Sequence, residues 1–208
     1  MSSEKYLIGS GALLQWALAA WAEATPETVL HPVDVGQDQD YRFDLGALPA
    51  LAGADTTAFV AWGPQFLNFR RLELMGELKS RGIKLPPLIC RGATVAPTAK
   101  IGENCLIGAA AIVGAHCDIA YNAWIGTAAV LEHGVKIGAS AWIDAGVFIG
   151  AQAVIGSHAT LGRRVDIAAG VRVGKRCTVD VPGCYRSDIA VGTHHLATLR
   201  TPVVIIDG

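Results

Sequence analysis

The chain has 208 residues, of which 51% are hydrophobic and 17% charged, and its formal net charge is −1. That balance excludes the strongly basic footprint of a nucleic-acid-binding surface, and the length allows one mid-sized domain or two small ones. Five cysteines, an odd number with no C-x-x-C among them, give no support to a disulfide framework, a zinc site or a redox pair.

The first apolar stretch runs from Tyr6 to Ala22 and is interrupted by Gly9, Ser10, Gly11 and Gln15. Ala20-Trp21-Ala22 mimics a signal cleavage site, but Glu4 offsets Lys5 and leaves no basic leader. The stretch is read as a strand, a glycine loop and a helix from Ala12 to Ala22, in a cytoplasmic protein with no membrane insertion. Val29 to Val35 is expected as a second strand, which puts Asp34 at its carboxyl end. Thr57 to Trp62 is expected as a third, ended by Gly63-Pro64, and Phe66 to Arg81 as a helix before Gly82. Strands alternating with helices predict a small α/β unit with a Rossmann-like βαβ arrangement over residues 1–88. In such sheets ligands sit beyond the carboxyl ends of the strands. A glycine loop opening a helix can hold phosphate on its free N–H groups. Gly9, Ser10, Gly11, Asp34 and Gly63 would collect there. The plain alternative is that these residues only make turns.

From residue 95 onward an aliphatic residue stands at every sixth position: Val95, Ile101, Ile107, Val113, Ile119, Ile125, Leu131, Ile137, Ile143, Ile149, Ile155, Leu161, Ile167, Val173 and Val179. The residue two before each is Ala, Val or Cys, and the residue after is usually small. A sustained period of six fits neither a helix nor a hairpin sheet and marks a solenoid. Three hexads make one triangular coil, with the aliphatic residue and the small one two before it both inward, by the alternation of a strand. Successive coils stack at about 4.8 Å. The repeat predicts about five coils over residues 89–181, leaving 182–208 as a tail. Cys105, Cys117 and Cys177 fall in the inward small-residue slot and read as buried hydrophobes.

The residues just before the inward aliphatics form three outward columns. Leu106, Trp124, Trp142 and Thr160 make one, Ile112, Val130, Phe148 and Asp166 a second, and Lys100, Asp118, Lys136, Val154 and Arg172 a third. Two are apolar in their early coils, which predicts burial against other subunits, with Trp124, Trp142 and Phe148 at the contact. At one corner the column reads Pro97, Ala115, His133, Ala151, Ala169, and its neighbour Ala96, Gly114, Glu132, Gly150, Ala168. One imidazole and one carboxylate thus stand beside a groove of small residues. On spacing alone a solvated surface histidine and a general base both remain open.

These features together resemble the hexapeptide-repeat acyltransferases, whose solenoid is a left-handed parallel β-helix. Within them the chain is similar to the bacterial sugar acetyltransferases that carry a small N-terminal α/β domain. Those are the sialic-acid O-acetyltransferases and the UDP-4-amino-sugar N-acetyltransferases. Val130-Leu-Glu-His-Gly-Val-Lys-Ile-Gly138 matches the family segment that bears the catalytic histidine. The resemblance implies an acetyl-CoA-dependent transfer with His133 as general base and with Gly150, Ala151 and Ala169 along the CoA groove. The Ala151 backbone N–H would be the oxyanion donor. It further implies a nucleotide sugar at Gly9, Ser10, Gly11, Asp34 and Gly63, and a homotrimer. No metal is expected, because His116, His133 and His158 lack the spacing of the three histidines that hexapeptide-repeat carbonic anhydrases need. The chain departs from the family at Gly134, where an acidic residue usually follows the histidine, and at Trp142, where many relatives have a second one. Glu132, just before His133, is the candidate substitute for the missing acid. Its ending, Asp180-Val-Pro-Gly183 and onward, also departs after a similar start. Transfer to an amine, transfer to a sugar hydroxyl, and a silent assembly subunit all stay open at this level.

Overall fold

The computed structural model describes residues 4–48 and 56–205. The chain opens with β1 (Glu4–Gly9), α1 (Gly11–Ala24), β2 (Val29–Asp34), β3 (Thr56–Ala61) and α2 (Phe69–Ser80). The three strands form one parallel sheet in the order β2-β1-β3. Alternation along the strands sends Ile8 and Val60 to one face, against Leu74 and Leu78 of α2. Leu7 and Phe59 go to the other, against Leu14, Ala17 and Trp21 of α1. Gly9 is required by this pairing, because a Cβ there would collide with the carbonyl oxygen of Ala61.

The helix expected from Phe66 begins only at Phe69. Phe66, Leu67 and Asn68 instead take left-handed backbone conformations, with φ of 47°, 53° and 65°. Each such residue costs about 1–2 kcal/mol, so tertiary contacts must hold them. The carbonyl of Leu67 lies 3.0 Å from Nδ1 of His158, and Asn68 donates to the Thr160 hydroxyl at 3.4 Å. Docking to the coil overrides the local preference for helix.

From Leu88 the chain winds into a parallel β-solenoid of short strands that stack into three sheets. Every inward residue from Cys105 to Val179 is buried in one continuous core. The solenoid has about six turns rather than five. Residue 181 does not end it. Gly183–Tyr185 pairs in parallel with Val165–Ile167, and Thr193–His195 continues the sheet of Thr178–Val179. Val203–Val204 then folds back antiparallel on Thr193–His195 and covers the end of that sheet. The tail departs from the repeat in sequence, yet its backbone keeps the coil. Ile206 and Asp207 of the ending lie outside the described residues.

Two local rules build each coil. Every sixth residue at a turn is left-handed, as in Asn104, Ala110, His116, Asn122 and Ala128. The small residue after each aliphatic admits the next coil, since a Cβ on Gly126 would lie 2.7 Å from the backbone nitrogen of Ala145. Cys105, Cys117 and Cys177 are buried as expected, and burial pushes the Cys105 thiol up to about 11, far from a reactive thiolate.

The expectation that Trp124 and Trp142 face another subunit is overturned. Their rings stack at 4.5 Å and are covered by the chain's own N-terminal elements. Trp16 of α1 packs on Trp124, which is only 7% exposed. From α2 the guanidinium of Arg71, fully buried, lies 5.6 Å and 5.2 Å from the two ring centroids and donates to the carbonyl of Asn122. Burial lowers Arg71 to about 9, which leaves it cationic at neutral pH. An internal polar chain continues the contact. The N–H of Val60 in β3 donates to Asn104 at 2.8 Å, Asn104 to Asn122 at 2.8 Å, and Asn122 to Ser140 at 2.9 Å. Aromatic residues in a repeat column signal a covered face. Only the tertiary structure says what covers it. The second apolar column stays open, with Ile112 47% and Phe148 38% exposed.

Candidate active site

The corner that carries His133 joins the sheet of Ile112, Val130 and Phe148 to the sheet of Asp118, Lys136 and Val154. The eighteen-residue register stacks Ala115, His133, Ala151 and Ala169 along it, because Leu131 pairs with Val113 and Ile149. His133 is exposed, and no hydrogen bond reaches its ring among the described residues. Ala151 is half-buried and Ala169 exposed, so a shallow row of methyl groups continues past the imidazole. Gly150 has a packing reason of its own: a Cβ there would lie 2.5 Å from the backbone nitrogen of Ala169.

Glu132 does not orient His133. Its carboxylate accepts a hydrogen bond from the backbone N–H of Ala151 at 2.8 Å. Adjacent residues on extended backbone point apart, and Glu132 reaches up the column instead of sideways. The N–H that the resemblance implies as an oxyanion donor is therefore occupied by a carboxylate of the same chain. Gly134 occupies the left-handed turn position, with φ of 71°, in the column of His116 and Gln152. A Cβ at Gly134 would meet only Gln152, at 3.4 Å, so glycine here relieves the left-handed backbone rather than a steric clash, and His116 and Gln152 hold the same conformation one coil away on either side.

The second group of predicted residues lies at the carboxyl edge of the three-stranded sheet. Ser10 caps α1 in extended conformation, its side chain making no capping hydrogen bond, and Gly11 follows with φ of 56°. No acidic residue stands in the first turn of α1. Free N–H groups and the helix dipole thus face outward, a setting that favours an anion. Ser10, Gly11 and Gly63 line one cavity of about 310 Å³ together with Leu13, Ala61, Trp62 and Gln65. Gly9 and Asp34 pair with each other in the β1–β2 register beside it and do not line it. The sequence does not single out Trp62 or Gln65. The Trp62 indole donates to Gln65 at 3.0 Å, and a tryptophan ending a strand reads as core until that bond is seen.

The two places are far apart on the prism. α1, β3 and α2 cover the side that carries Leu106, Trp124 and Trp142. His133 stands at the corner opposite that side, since the chain passes through the Trp124 side, the Val130 side and the Lys136 side in turn.

Comparison with known proteins agrees with this architecture. Residues 140–175 match the family described as bacterial transferase hexapeptide (six repeats). Residues 98–116 and 121–151 match the hexapeptide repeat of succinyl-transferase. No curated protein matches the chain. Among solved structures, PerB from Caulobacter crescentus, in complex with CoA and GDP-perosamine, is 25% identical with a TM-score of 0.81, covering 92% of each chain. The acetyltransferase domain of PglB from Neisseria gonorrhoeae is 23% identical with a TM-score of 0.63, over 97% of this chain and 100% of that one. AntD, an N-acyltransferase from Bacillus cereus solved with dTDP and 3-hydroxybutyryl-CoA, is 15% identical with a TM-score of 0.53, over 62% and 87%. The latter two likenesses are of fold alone.

Proposed function

We propose that the chain, whose residues 98–116 and 121–175 match hexapeptide-repeat transferase families and whose fold follows that of PerB, is a hexapeptide-repeat sugar acetyltransferase that transfers an acetyl group from acetyl-CoA to the amine of a nucleotide-linked amino sugar. His133 is the general base. The observation that carries this is a solvent-open imidazole beside the small-residue row of Ala151 and Ala169. PerB, which follows the same path over nearly its whole length, is solved with CoA and with a nucleotide-linked sugar. We take the coil as left-handed, the hand of the family.

In this mechanism the neutral imidazole of His133 accepts a proton as the amine attacks the thioester carbonyl. Imidazole is the side chain best suited to taking up and returning a proton at neutral pH. The carbon–nitrogen bond forms, the carbon–sulfur bond breaks, and the His133 imidazolium returns its proton to the departing sulfur, so that CoA leaves as the thiol. The N–H of Ala151 receives the developing oxyanion once the Glu132 carboxylate has moved off it. CoA lies along Gly150, Ala151 and Ala169. The nucleotide diphosphate sits at Ser10 and Gly11, with Asp34 and Gly63 beside it.

The placement of these parts supports the homotrimer that the resemblance implies. One chain's glycine-loop cavity and its His133 lie on opposite sides of the coil. The sugar held by one copy meets the histidine of another across the face of Ile112, Val130 and Phe148. That face is apolar, open and adjacent to the His133 corner.

Release of free thiol from acetyl-CoA tests the proposal, with GDP-perosamine and UDP- and dTDP-linked 4-amino sugars as acceptors and the corresponding hydroxyl sugars as controls. Transfer to an amine is expected, and His133→Ala should lower it about 10²–10⁴-fold while acetyl-CoA still binds. Full activity in His133→Ala would remove the histidine from the mechanism. Acetylation of only the hydroxyl sugars would make the enzyme an O-acetyltransferase. The Glu132–Ala151 bond favours one other reading, a silent assembly subunit, which the absence of thiol release with every one of these acceptors would establish.

A further inference from the structure

Two large aromatic side chains at the carboxyl edge of the sheet contribute to no core. Tyr41 is 49% exposed and Phe66 is 54% exposed. Their rings meet edge to face, with centroids 5.0 Å apart and planes at 78°. Tyr41 belongs to the loop after β2 and Phe66 to the loop after β3. In the sheet β1 lies between those strands. The contact therefore bridges the end of β1, whose own following loop supplies Ser10 and Gly11. Chain order reverses at β1, the place where open parallel sheets hold their ligands. Gln65, directly before Phe66, lines the same cavity as Ser10 and Gly11.

Both rings are held in place by backbone that does not favour them. Tyr41 has φ of 61° and Phe66 of 47°, the left-handed region that bulky residues avoid. Each loop is anchored on either side of its ring. The Asp38 carboxylate accepts the N–H groups of Asp40 and Arg42, both at 2.9 Å, and the Asp38 carbonyl that of Tyr41 at 3.0 Å. Beyond Phe66, Leu67 and Asn68 are tied to His158 and Thr160 of the coil. An edge-to-face pair returns about 0.5–1.5 kcal/mol, less than two left-handed residues cost at about 1–2 kcal/mol each. Strain of this kind persists where it positions a group for binding.

We propose that Tyr41 and Phe66 form an aromatic clasp for the base of the nucleotide whose diphosphate lies at Ser10 and Gly11. The clasp rests on the nucleotide-sugar reading above. The base is its occupant because the sugar end must point away, toward His133 of another copy. An aromatic pair also stacks on any base through its π-face, whatever the base's hydrogen-bonding edge. Arg70, whose guanidinium carbon lies 5.3 Å from the Phe66 ring, backs the pair from α2.

Calorimetric titration of the full chain with GDP, UDP, dTDP and inorganic pyrophosphate tests this, alongside Phe66→Leu, Tyr41→Leu and Phe66→Tyr. Pyrophosphate is the probe without a base. The unmodified protein should bind at least one nucleoside diphosphate more tightly than pyrophosphate. Each leucine variant should weaken that nucleotide about 5- to 150-fold, the range of one lost base–aromatic stack. Pyrophosphate affinity should stay unchanged, and Phe66→Tyr should bind as the unmodified protein does. Both rings are exposed, so circular dichroism should show the leucine variants folded. Nucleotide affinity unchanged in both leucine variants would overturn the clasp and leave the nucleotide-sugar reading standing. Equal loss of nucleotide and pyrophosphate would also overturn it, by showing a general collapse of the cavity. No binding of any nucleoside diphosphate by the unmodified protein would overturn both.

Discussion

Asn122→Ala tests how the N-terminal elements are fastened to the coil. Asn122 is fully buried, accepts from Asn104 at 2.8 Å and donates to Ser140 at 2.9 Å. Its backbone is left-handed, with φ of 59°. Alanine strands the Asn104 amide donor in the interior, while the Ser140 hydroxyl loses its donor. A buried polar group left without a partner costs about 1–3 kcal/mol. The left-handed backbone, tolerated by asparagine, costs alanine a further 1–2 kcal/mol or so. The expected loss is therefore about 2–5 kcal/mol, a large share of the roughly 5–15 kcal/mol that holds a folded domain together. Ala128→Gly is the internal control, because Ala128 is exposed with φ of 55° and has no polar role. Relief of strain there, less the added freedom of the unfolded chain, should stabilise by about 0.5–1 kcal/mol. Urea unfolding followed by tryptophan fluorescence measures both, since the Trp124–Trp142 stack lies beside Asn122. A loss below about 1 kcal/mol for Asn122→Ala, with an unchanged denaturant slope, would refute the argument that the polar chain is a structural fastening.

Glu132→Ala frees the N–H of Ala151, so acetyl-CoA should bind roughly tenfold tighter, the equivalent of one net hydrogen bond; unchanged affinity by calorimetry, with a lower turnover number, would return Glu132 to an orienting role. Phe148→Glu should leave a folded monomer, whereas Trp124→Glu should fail to fold. Light scattering and circular dichroism separate the two outcomes, and a folded Trp124→Glu would mean that the intrachain contact is not the one that matters. His158 is held below its ordinary value chiefly by burial, where its ring stacks on Phe69 at 3.9 Å. The unfolded chain therefore takes up the proton first as pH falls. The stability His158 lends is present above its unfolded value of about 6.5 and is lost as pH falls through the lowered folded value. Denaturation midpoints measured from about pH 7.5 downward should decline less in His158→Gln than in the unmodified protein; parallel curves would contradict this.

The hexad repeat carries its own architecture, because a period of six with inward aliphatics buries apolar surface in one way only. The sequence by itself therefore determined the stacking register, the three outward columns, the buried cysteines and the corner that isolates His133. That Ser10, Gly11 and Gly63 fall together at the strand ends was also legible, since strand ends and glycine loops obey local rules. Everything else depended on what touches what. A tryptophan column announces a covered face equally well for a subunit and for the chain's own helix, and Trp16 and Arg71 decided between them. The extra turn built from residues 183–195 was hidden because its strands keep the backbone register after the side-chain pattern has lapsed. The left-handed turn at Phe66–Asn68 contradicts local propensity and exists only because His158 and Thr160 hold it. Glu132 and His133 are neighbours in sequence, yet extended backbone sends their side chains apart, and only the coil stacked above gives the carboxylate its partner at Ala151. Periodicity fixes which residues share a face because backbone geometry is local, whereas partners across faces are fixed by packing, which is not.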